Sequence, residues 1–369
     1  MNFIKGMDIS MLPELEALGG RYYENGIEKD LLTICKENGV NIFRFRLWNH
    51  PYGRNHTSYG GGSNDLKTLL ELARRAKEKE IDYMLDFHYS DFWTDPKKQI
   101  KPKAWKTFGM EELKRAVYTY TKDVLCSLKE KNILPSMVQI GNEITNGFLW
   151  PEGQLATYKY CEEKQDKREY NNLFLLLKEG IRAVRECDSQ IKIVLHLDYG
   201  GDCTLYKEWF DQAKKAGIDY DIIGLSYYPY WHGTLEQLEY NLKQITHRYQ
   251  KDVMVVETAY GFTTEDKEGC VLIFNEELAQ VAGYPSSEEG QSKFLQDLGN
   301  CLKSIENDRG LGFIYWEPAW LPVKGTTWGT IEGQKYMNDE AKEGNSWANQ
   351  ALFDYDGNAL STWKVIKKL

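Results

Sequence analysis

Residues 81–143 contain one full turn of an alternating pattern. Ile81-Asp82-Tyr83-Met84-Leu85-Asp86-Phe87-His88 is followed by an amphipathic run over 111–131, and then by Met137-Val138-Gln139-Ile140-Gly141-Asn142-Glu143. Two strand-length runs flank a helical periodicity long enough to carry the chain back, which is what parallel strands in a β-α-β unit require. Outward from this unit, further strand-length runs lie at 3–9, 41–47, 191–197, 221–227, 252–257 and 312–316. Helical patterns lie at 66–79, 173–187, 205–216, 235–249 and 291–306. Eight such repeats with no strand left over predict the α/β class and a closed (β/α)8 TIM barrel. An open doubly wound sheet is the alternative, but no G-x-G-x-x-G follows an early strand. No linker rich in Pro, Ser or Gly breaks the rhythm, so residues 1–369 read as one catalytic domain.

Composition excludes several classes of function. The 369 residues include 46 Lys+Arg against 55 Asp+Glu, a net charge of -9 with no basic block, so neither nucleic acid nor an anionic membrane is expected as a partner. No obligate protein partner is evident either. No apolar run approaches the ~18 residues of a membrane span. Met1-Asn2-Phe3-Ile4-Lys5-Gly6 lacks a charged leader before an apolar stretch, which points to the cytoplasm unless a leader has been removed. Seven Cys with no C-x-x-C pair fit neither a disulfide framework nor a zinc site. They read as small apolar residues, several of them in helices, in a reducing compartment. Gly60-Gly61-Gly62 has no following G-K-[ST], so it reads as a loop turn rather than a phosphate cradle.

The long connections follow strands, at 48–64, 89–109, 144–172, 258–289 and 318–362. In such barrels these loops build the active-site face, so a deep or extended cleft is expected. Two strands end in Glu: Gln139-Ile140-Gly141-Asn142-Glu143 and Met254-Val255-Val256-Glu257. Either alone could be a salt-bridge partner. Together, on strands facing each other across a barrel mouth, they form the pair that glycoside hydrolysis needs, one carboxyl protonated and one ionised. Asn142 can hydrogen-bond a sugar hydroxyl, Tyr227 can hold an anionic Glu257, and Arg46 adds a fixed positive charge unless it is a structural partner of Asp8 or Asp86. His88 ends its strand and could donate to a hydroxyl, or could be a satisfied structural residue. Trp93, Trp105, Trp150, Trp231, Trp316, Trp320 and Trp328 lie in or beside these loops, where flat rings stack on sugar faces. No H-E-x-x-H, His/Cys ligand cluster or Cys-His pairing appears, which sets aside metal hydrolysis and thiol catalysis.

The chain resembles the endo-β-1,4-galactanases of glycoside hydrolase family 53. The resemblance rests on Gly6-Met7-Asp8-Ile9-Ser10, Phe45-Arg46-Leu47-Trp48-Asn49, Asp86-Phe87-His88-Tyr89-Ser90-Asp91-Phe92-Trp93, Gln139-Ile140-Gly141-Asn142-Glu143, Gly224-Leu225-Ser226-Tyr227-Tyr228-Pro229-Tyr230-Trp231, Val256-Glu257-Thr258-Ala259-Tyr260 and Tyr315-Trp316-Glu317-Pro318-Ala319-Trp320. These segments span nearly the whole chain. The resemblance implies Glu143 as acid/base and Glu257 as nucleophile of a retaining enzyme, with the two carboxyls ~5 to 5.5 Å apart. It implies Arg46, His88, Asn142, Tyr227 and Trp316 around the cleaved bond. Asp91, Trp93 and Trp231 join them as substrate-binding candidates, the substrate being galactan or galacto-oligosaccharide. A related glycosidase acting on another β-glycan or on imported oligosaccharides, and a non-catalytic glycan-binding protein, are the competing expectations.

One departure concerns metal. Bacterial members of the family often hold calcium through a D-x-D-x-H-x-N segment after the seventh strand, helped by an Asp before Asn-Gln-Ala-Leu-Phe-Asp. Here the first segment is Asp266-Lys267-Glu268-Gly269-Cys270-Val271-Leu272, and the helping position is Ala348. A hard cation needs six to eight oxygens. The expectation is therefore no calcium at these loops, and no cofactor.

Overall fold

The computed structural model describes residues 3–156 and 168–369. Eight strands, β1 (Ile4–Asp8), β2 (Ile42–Leu47), β3 (Asp82–Phe87), β4 (Met137–Ile140), β5 (Lys192–Leu197), β6 (Ile222–Ser226), β7 (Asp252–Thr258) and β8 (Gly310–Trp316), each pair with their neighbours in sequence. β8 pairs in parallel with β1, which closes the barrel and leaves no open edge. After each strand comes a helix: α1 (Leu31–Glu37), α2 (Leu66–Glu78), α3 (Met110–Glu130), α4 (Asn171–Cys187), α5 (Cys203–Lys215), α6 (Leu235–Tyr249), α7 (Glu288–Lys303) and α8 (Thr362–Lys368). The TIM barrel expected from the sequence is the fold found.

Side chains alternate along each strand, and this alternation sorts the residues. Phe43, Phe45, Leu85, Val138 and Leu195 point outward into the main core shared with the helices. Ile42, Met84, Met137 and Val194 point inward and, with Ile222 and Met254, form an apolar plug. Two residues further along the same four strands, the inward positions are Arg44, Asp86, Gln139 and His196, all wholly buried. Within one pleat the barrel interior changes from hydrocarbon to a hydrogen-bonded polar layer. Gly6 belongs to the crowded level below it. A Cβ there would sit 2.6 Å from Ile314 Cγ1 and 2.9 Å from Ile42 Cγ2.

Strand ends differ from the sequence reading by at most three residues, largest at β4, where the chain leaves the sheet after Ile140. Unforeseen in the sequence was a hairpin of Tyr22–Glu24 and Ile27–Lys29, whose three-residue strands are too short to show a period. Its Asn25-Gly26 turn has φ of 53° and 76°, as a two-residue hairpin turn of the primed type needs. Short helices Glu276–Ala282 and Ile331–Met337 give local order to the long connections after β7 and β8. Of the cysteines, Cys35 and Cys301 are buried as expected, Cys126 is exposed, and Cys161 lies outside the described residues. No helix among the described residues is long and apolar enough to cross a membrane.

Candidate active site

The chemistry of the mouth starts with β2, Ile42-Phe43-Arg44-Phe45-Arg46-Leu47. With both Phe turned out, both Arg turn in. Arg44 is the hub of the polar layer: its Nη1 lies 2.9 Å from Asp8 Oδ2 and 2.8 Å from Glu257 Oε1. Its Nη2 donates to Asp86 Oδ2 and Asn142 Oδ1, each at 2.8 Å. Arg46 pairs with Glu317 Oε1 at 2.6 Å and Asp8 Oδ1 at 3.3 Å. Two guanidinium groups thus face four buried carboxyls, and negative charge is in excess. Burial accordingly pushes Glu317 up to about 8 against the pull of Arg46.

Glu257 reaches this layer through an irregularity. Leu225 of β6 pairs with Val255, but Ser226 pairs with Glu257, so Val256 is an extra residue on β7. Plain alternation from Met254 and Val256, which face the inner plug, would turn Glu257 outward. The bulge turns it back in, a common device beside active sites. Burial pushes its carboxyl up to about 7, with Arg44 pulling down and the charges of Asp86 and Asp8 pushing up. Tyr228 donates its hydroxyl to Glu257 Oε2 at 3.4 Å.

Glu143 arrives differently. β4 stops at Ile140, Gly141 takes φ +82°, and Glu143 itself is left-handed at φ 48°, ψ 53°. A Cβ on Gly141 would meet Ile144 Cγ2 at 2.6 Å, so glycine is needed for both reasons. A left-handed non-glycine residue costs roughly 1–2 kcal/mol. Tyr89, Tyr199 and Glu317, each one or two residues beyond its strand, share that conformation. Four post-strand connections at this face thus carry a left-handed non-glycine residue. Burial holds the Glu143 carboxyl well above the usual carboxylate range, and the charges of Glu257 and Asp198 raise it further. Its Oε1 accepts from Ser226 Oγ at 2.6 Å.

Both carboxyls open into one cleft of about 610 Å³, whose walls include His88, Trp93, Asn142, Tyr228, Trp231, Trp316, Trp320, Trp328 and Trp347. Trp93 is locked by an Nε1 donation to the Trp328 carbonyl at 2.6 Å, and Trp347 packs edge-on against Trp316 with ring centroids 4.7 Å apart. The connections after β3 and β8 are further joined by the Lys98–Asp339 ion pair. A rigid aromatic wall beside two unlike carboxyls can hold a sugar ring by its flat apolar face while one carboxyl protonates the leaving oxygen and the other attacks C1.

The family model described as Glycosyl hydrolase family 53 matches residues 4–366. The chain belongs to glycosyl hydrolase family 53. It is therefore a glycoside hydrolase. This family 53 enzyme is 37% identical to the endo-beta-1,4-galactanase of Bacillus subtilis over 99% of this chain and 86% of that one. It is 44% identical to an uncharacterized protein of Niallia circulans, over 99% and 93% of the two chains. The solved GH53 catalytic domain of Ignisphaera aggregans superposes with a TM-score of 0.90 at 43% identity, covering 99% of this chain and 95% of that one.

Several sequence expectations need correction. Tyr227 does not hold Glu257: its hydroxyl donates to the Gly233 carbonyl at 3.1 Å and its ring faces Phe294 of α7. Parity explains this, since Ser226 and Tyr228 point inward and the residue between them points out. Arg44, not Arg46, touches Glu257. Arg46 lies beneath the aromatic wall, its Cζ 4.5 Å from the Trp93 ring centre. Asp91 lies outside the cleft lining and braces loops, accepting the backbone N–H groups of His50 at 3.0 Å and Lys103 at 2.8 Å. His88 borders the cleft, but both ring nitrogens are engaged, Nε2 with Asp86 at 3.0 Å and Nδ1 with Thr94 Oγ1 at 2.9 Å. It is a brace for Asp86 rather than a donor to a sugar. Trp105 and Trp150 are not among the cleft-lining residues. The sequence reading missed Arg44, Tyr228, His196, Ser226 and Trp347. The first four were within reach, because each shares the inward parity of its strand.

The connections after β7 and β8 meet without ionic ligands. Asp266 and Glu268 are exposed, Val271 N–H donates to the Asn345 carbonyl at 3.0 Å, and Ala348 is buried. Asn349 Nδ2 ties the segments together by donating to the carbonyls of Thr263 at 3.0 Å and Phe274 at 2.9 Å. Among the described residues no group of three or more His, Cys, Asp or Glu could hold a metal. EDTA is therefore expected to leave the melting temperature unchanged, since an ion stabilises only the state that binds it. A fall of several degrees in calorimetry, restored by calcium, would contradict this.

Proposed function

We propose that the enzyme hydrolyses internal β-1,4-galactosidic bonds of galactan and type I arabinogalactan with retention of configuration. Glu257 is the nucleophile and Glu143 the acid/base. The observation that carries the assignment is the unlike surroundings of the two carboxyls. Glu257 is held by the Arg44 guanidinium and the Tyr228 hydroxyl, which favour its anion. Glu143 is buried beside the charge of Glu257, both of which favour its protonated form, and the one hydroxyl that donates to it offsets them only in part. The substrate class is supported by the galactanase of Bacillus subtilis, which aligns over nearly the whole chain.

In the first step a Glu257 carboxylate oxygen bonds to the sugar C1 while the C1–O4′ bond breaks, and the Glu143 proton goes to the leaving oxygen. In the second, water attacks C1, its proton passes to Glu143, and the C1–Glu257 ester bond breaks. Two inversions restore the β configuration. The Asn142 amide gives one hydrogen to the Thr94 carbonyl at 2.9 Å, so its second hydrogen is left for a sugar hydroxyl.

The test is an NMR time course on linear β-1,4-galactan, beside β-mannan and β-glucan. The expected result is turnover of galactan with the β anomer appearing first and the α anomer growing in by mutarotation. An α-first product would overturn retention. Preference for either of the other polymers would overturn the substrate assignment, and binding of galactan without turnover would leave a glycan-binding protein.

A further inference from the structure

The inward faces of β5 and β6 carry two wholly buried polar residues that neither chemical step requires, His196 and Ser226. They form a chain that ends on Glu143. His196 Nε2 lies 2.8 Å from Ser226 Oγ, and Ser226 Oγ lies 2.6 Å from Glu143 Oε1. The direction of this chain follows from the other ring nitrogen. The backbone N–H of Glu143, a donor that cannot reverse, is aimed at His196 Nδ1 at 3.4 Å. Gln139 Nε2 approaches the same nitrogen at 3.1 Å. Asn142 Oδ1 is also 3.1 Å away and already accepts from the Arg44 guanidinium at 2.8 Å, whereas the Glu143 N–H can only donate. Nδ1 is thus the acceptor and the ring hydrogen sits on Nε2. Burial, with the Arg44 charge, holds the imidazole far below its ordinary pKa, so it carries one hydrogen. His196 Nε2–H then donates to Ser226, and the single hydroxyl hydrogen of Ser226 must donate to Glu143 Oε1.

An oxygen that accepts a short hydrogen bond from a donor that cannot reverse is a poor place for a proton. We propose that Ser226, oriented by His196, confines the acid proton of Glu143 to Oε2, so that one carboxyl oxygen performs both proton transfers. The proposal rests on the acid/base reading of Glu143. Ser226 and His196 are positioning residues, since they act through that carboxyl. The other groups acting on Glu143 are Glu257 from β7, Asp198 after β5 and Asp95 after β3, all of which raise its pKa; the Ser226 hydrogen bond alone lowers it. Asp198 is itself tied to Thr145.

The experiment compares kcat/KM for two substrates that share a glycone: an unactivated β-1,4-galacto-oligosaccharide, and a galactobioside with a nitrophenol leaving group that departs with little protonation. Ser226→Ala is expected to lose about 10- to 100-fold on the first, the range for losing a hydrogen bond to an ionisable group, and under about threefold on the second. The alkaline limb of its pH profile moves to higher pH, because a bond that favoured the carboxylate is gone. Ser226→Thr, which keeps the hydroxyl, restores most of the lost rate and guards against a folding defect in the alanine variant. In nitrogen-15 NMR of the wild-type enzyme, His196 is expected as the neutral Nε2–H tautomer. Equal losses on both substrates, an unmoved limb, or an Nδ1–H tautomer would each overturn the proposal. Glu143→Ala run in parallel separates the two levels: retained activity on the nitrophenyl substrate alone supports the acid/base reading, and equal loss on both removes that reading.

Discussion

Glu257→Gln is expected to lower turnover on linear galactan by roughly 10⁴-fold or more, and Glu143→Gln by about 10²- to 10⁴-fold, with the fold of both intact. The amide is isosteric in each case, so the loss reports chemistry rather than packing. Steady-state rates with far-UV circular dichroism check it; near-normal turnover in either variant would refute the assignment. The pH profile follows from the same two groups. Activity is expected to fall as pH drops through the Glu257 value of about 7, because the proposed nucleophile is then protonated. It is expected to fall again as pH rises through the Glu143 pKa, which burial holds well above the usual carboxylate range, because the proposed acid is then lost. Glu143→Gln should remove that alkaline limb from the residual activity on activated substrates. It should also raise stability in alkaline solution. The unfolded chain releases this proton near the usual 4.5 while the native state holds it, so wild-type stability declines above that pH until the native value is passed. The melting-temperature gain is nil below about pH 4.5 and greatest above the native pKa.

Arg44→Met is expected to lower stability by about 3 to 5 kcal/mol, the usual cost of leaving buried charges without their partner. The methionine fills much of the volume, but Asp8, Asp86 and Glu257 lose the cation they share. The remaining folded enzyme should need a higher pH to ionise Glu257, since the Arg44 guanidinium is the main influence lowering that pKa. The acid limb therefore moves upward, and galactan turnover near neutrality falls with it. Arg44→Lys keeps the charge but not the planar fork that reaches four partners, so it should recover part of the stability and less of the activity. Chemical denaturation and pH-rate profiles separate these effects. A methionine variant as stable as the parent would show that the polar layer does not depend on this cation.

The tightness of that layer explains why the site was only partly legible beforehand. The placement of Glu143 and Glu257 at the barrel mouth was readable because each follows a strand-length run, and the structure puts both in one cleft. Arg46 stands out in the sequence because it lies near the strand end. Depth proved decisive instead: the lower guanidinium reaches Asp8, Asp86 and Glu257 together. Asp91 lies between His88 and Trp93 in a motif that suggested the cleft, yet its carboxylate is consumed by the His50 and Lys103 backbone. Adjacency in sequence says little about direction once the chain has left a strand.

Sequence by itself determined the closed barrel, the face that carries the site and the two carboxyl groups, because these follow from period and composition, which are local. The inward parity of Arg44 and Ser226 was also implicit in the alternation along their strands. The remainder was decided in three dimensions. Val256 becomes a bulge only through the pairing of Ser226 with Glu257 across β6 and β7. Without that shift the alternation along β7 would point Glu257 toward the helices. Glu143 likewise enters the cleft through the left-handed turn after Gly141. Its unlike pKa environment depends on residues from β5, β6 and β7 that lie 53 to 114 positions away. Burial and long-range charge set those values, and neither is a property of any one stretch of chain.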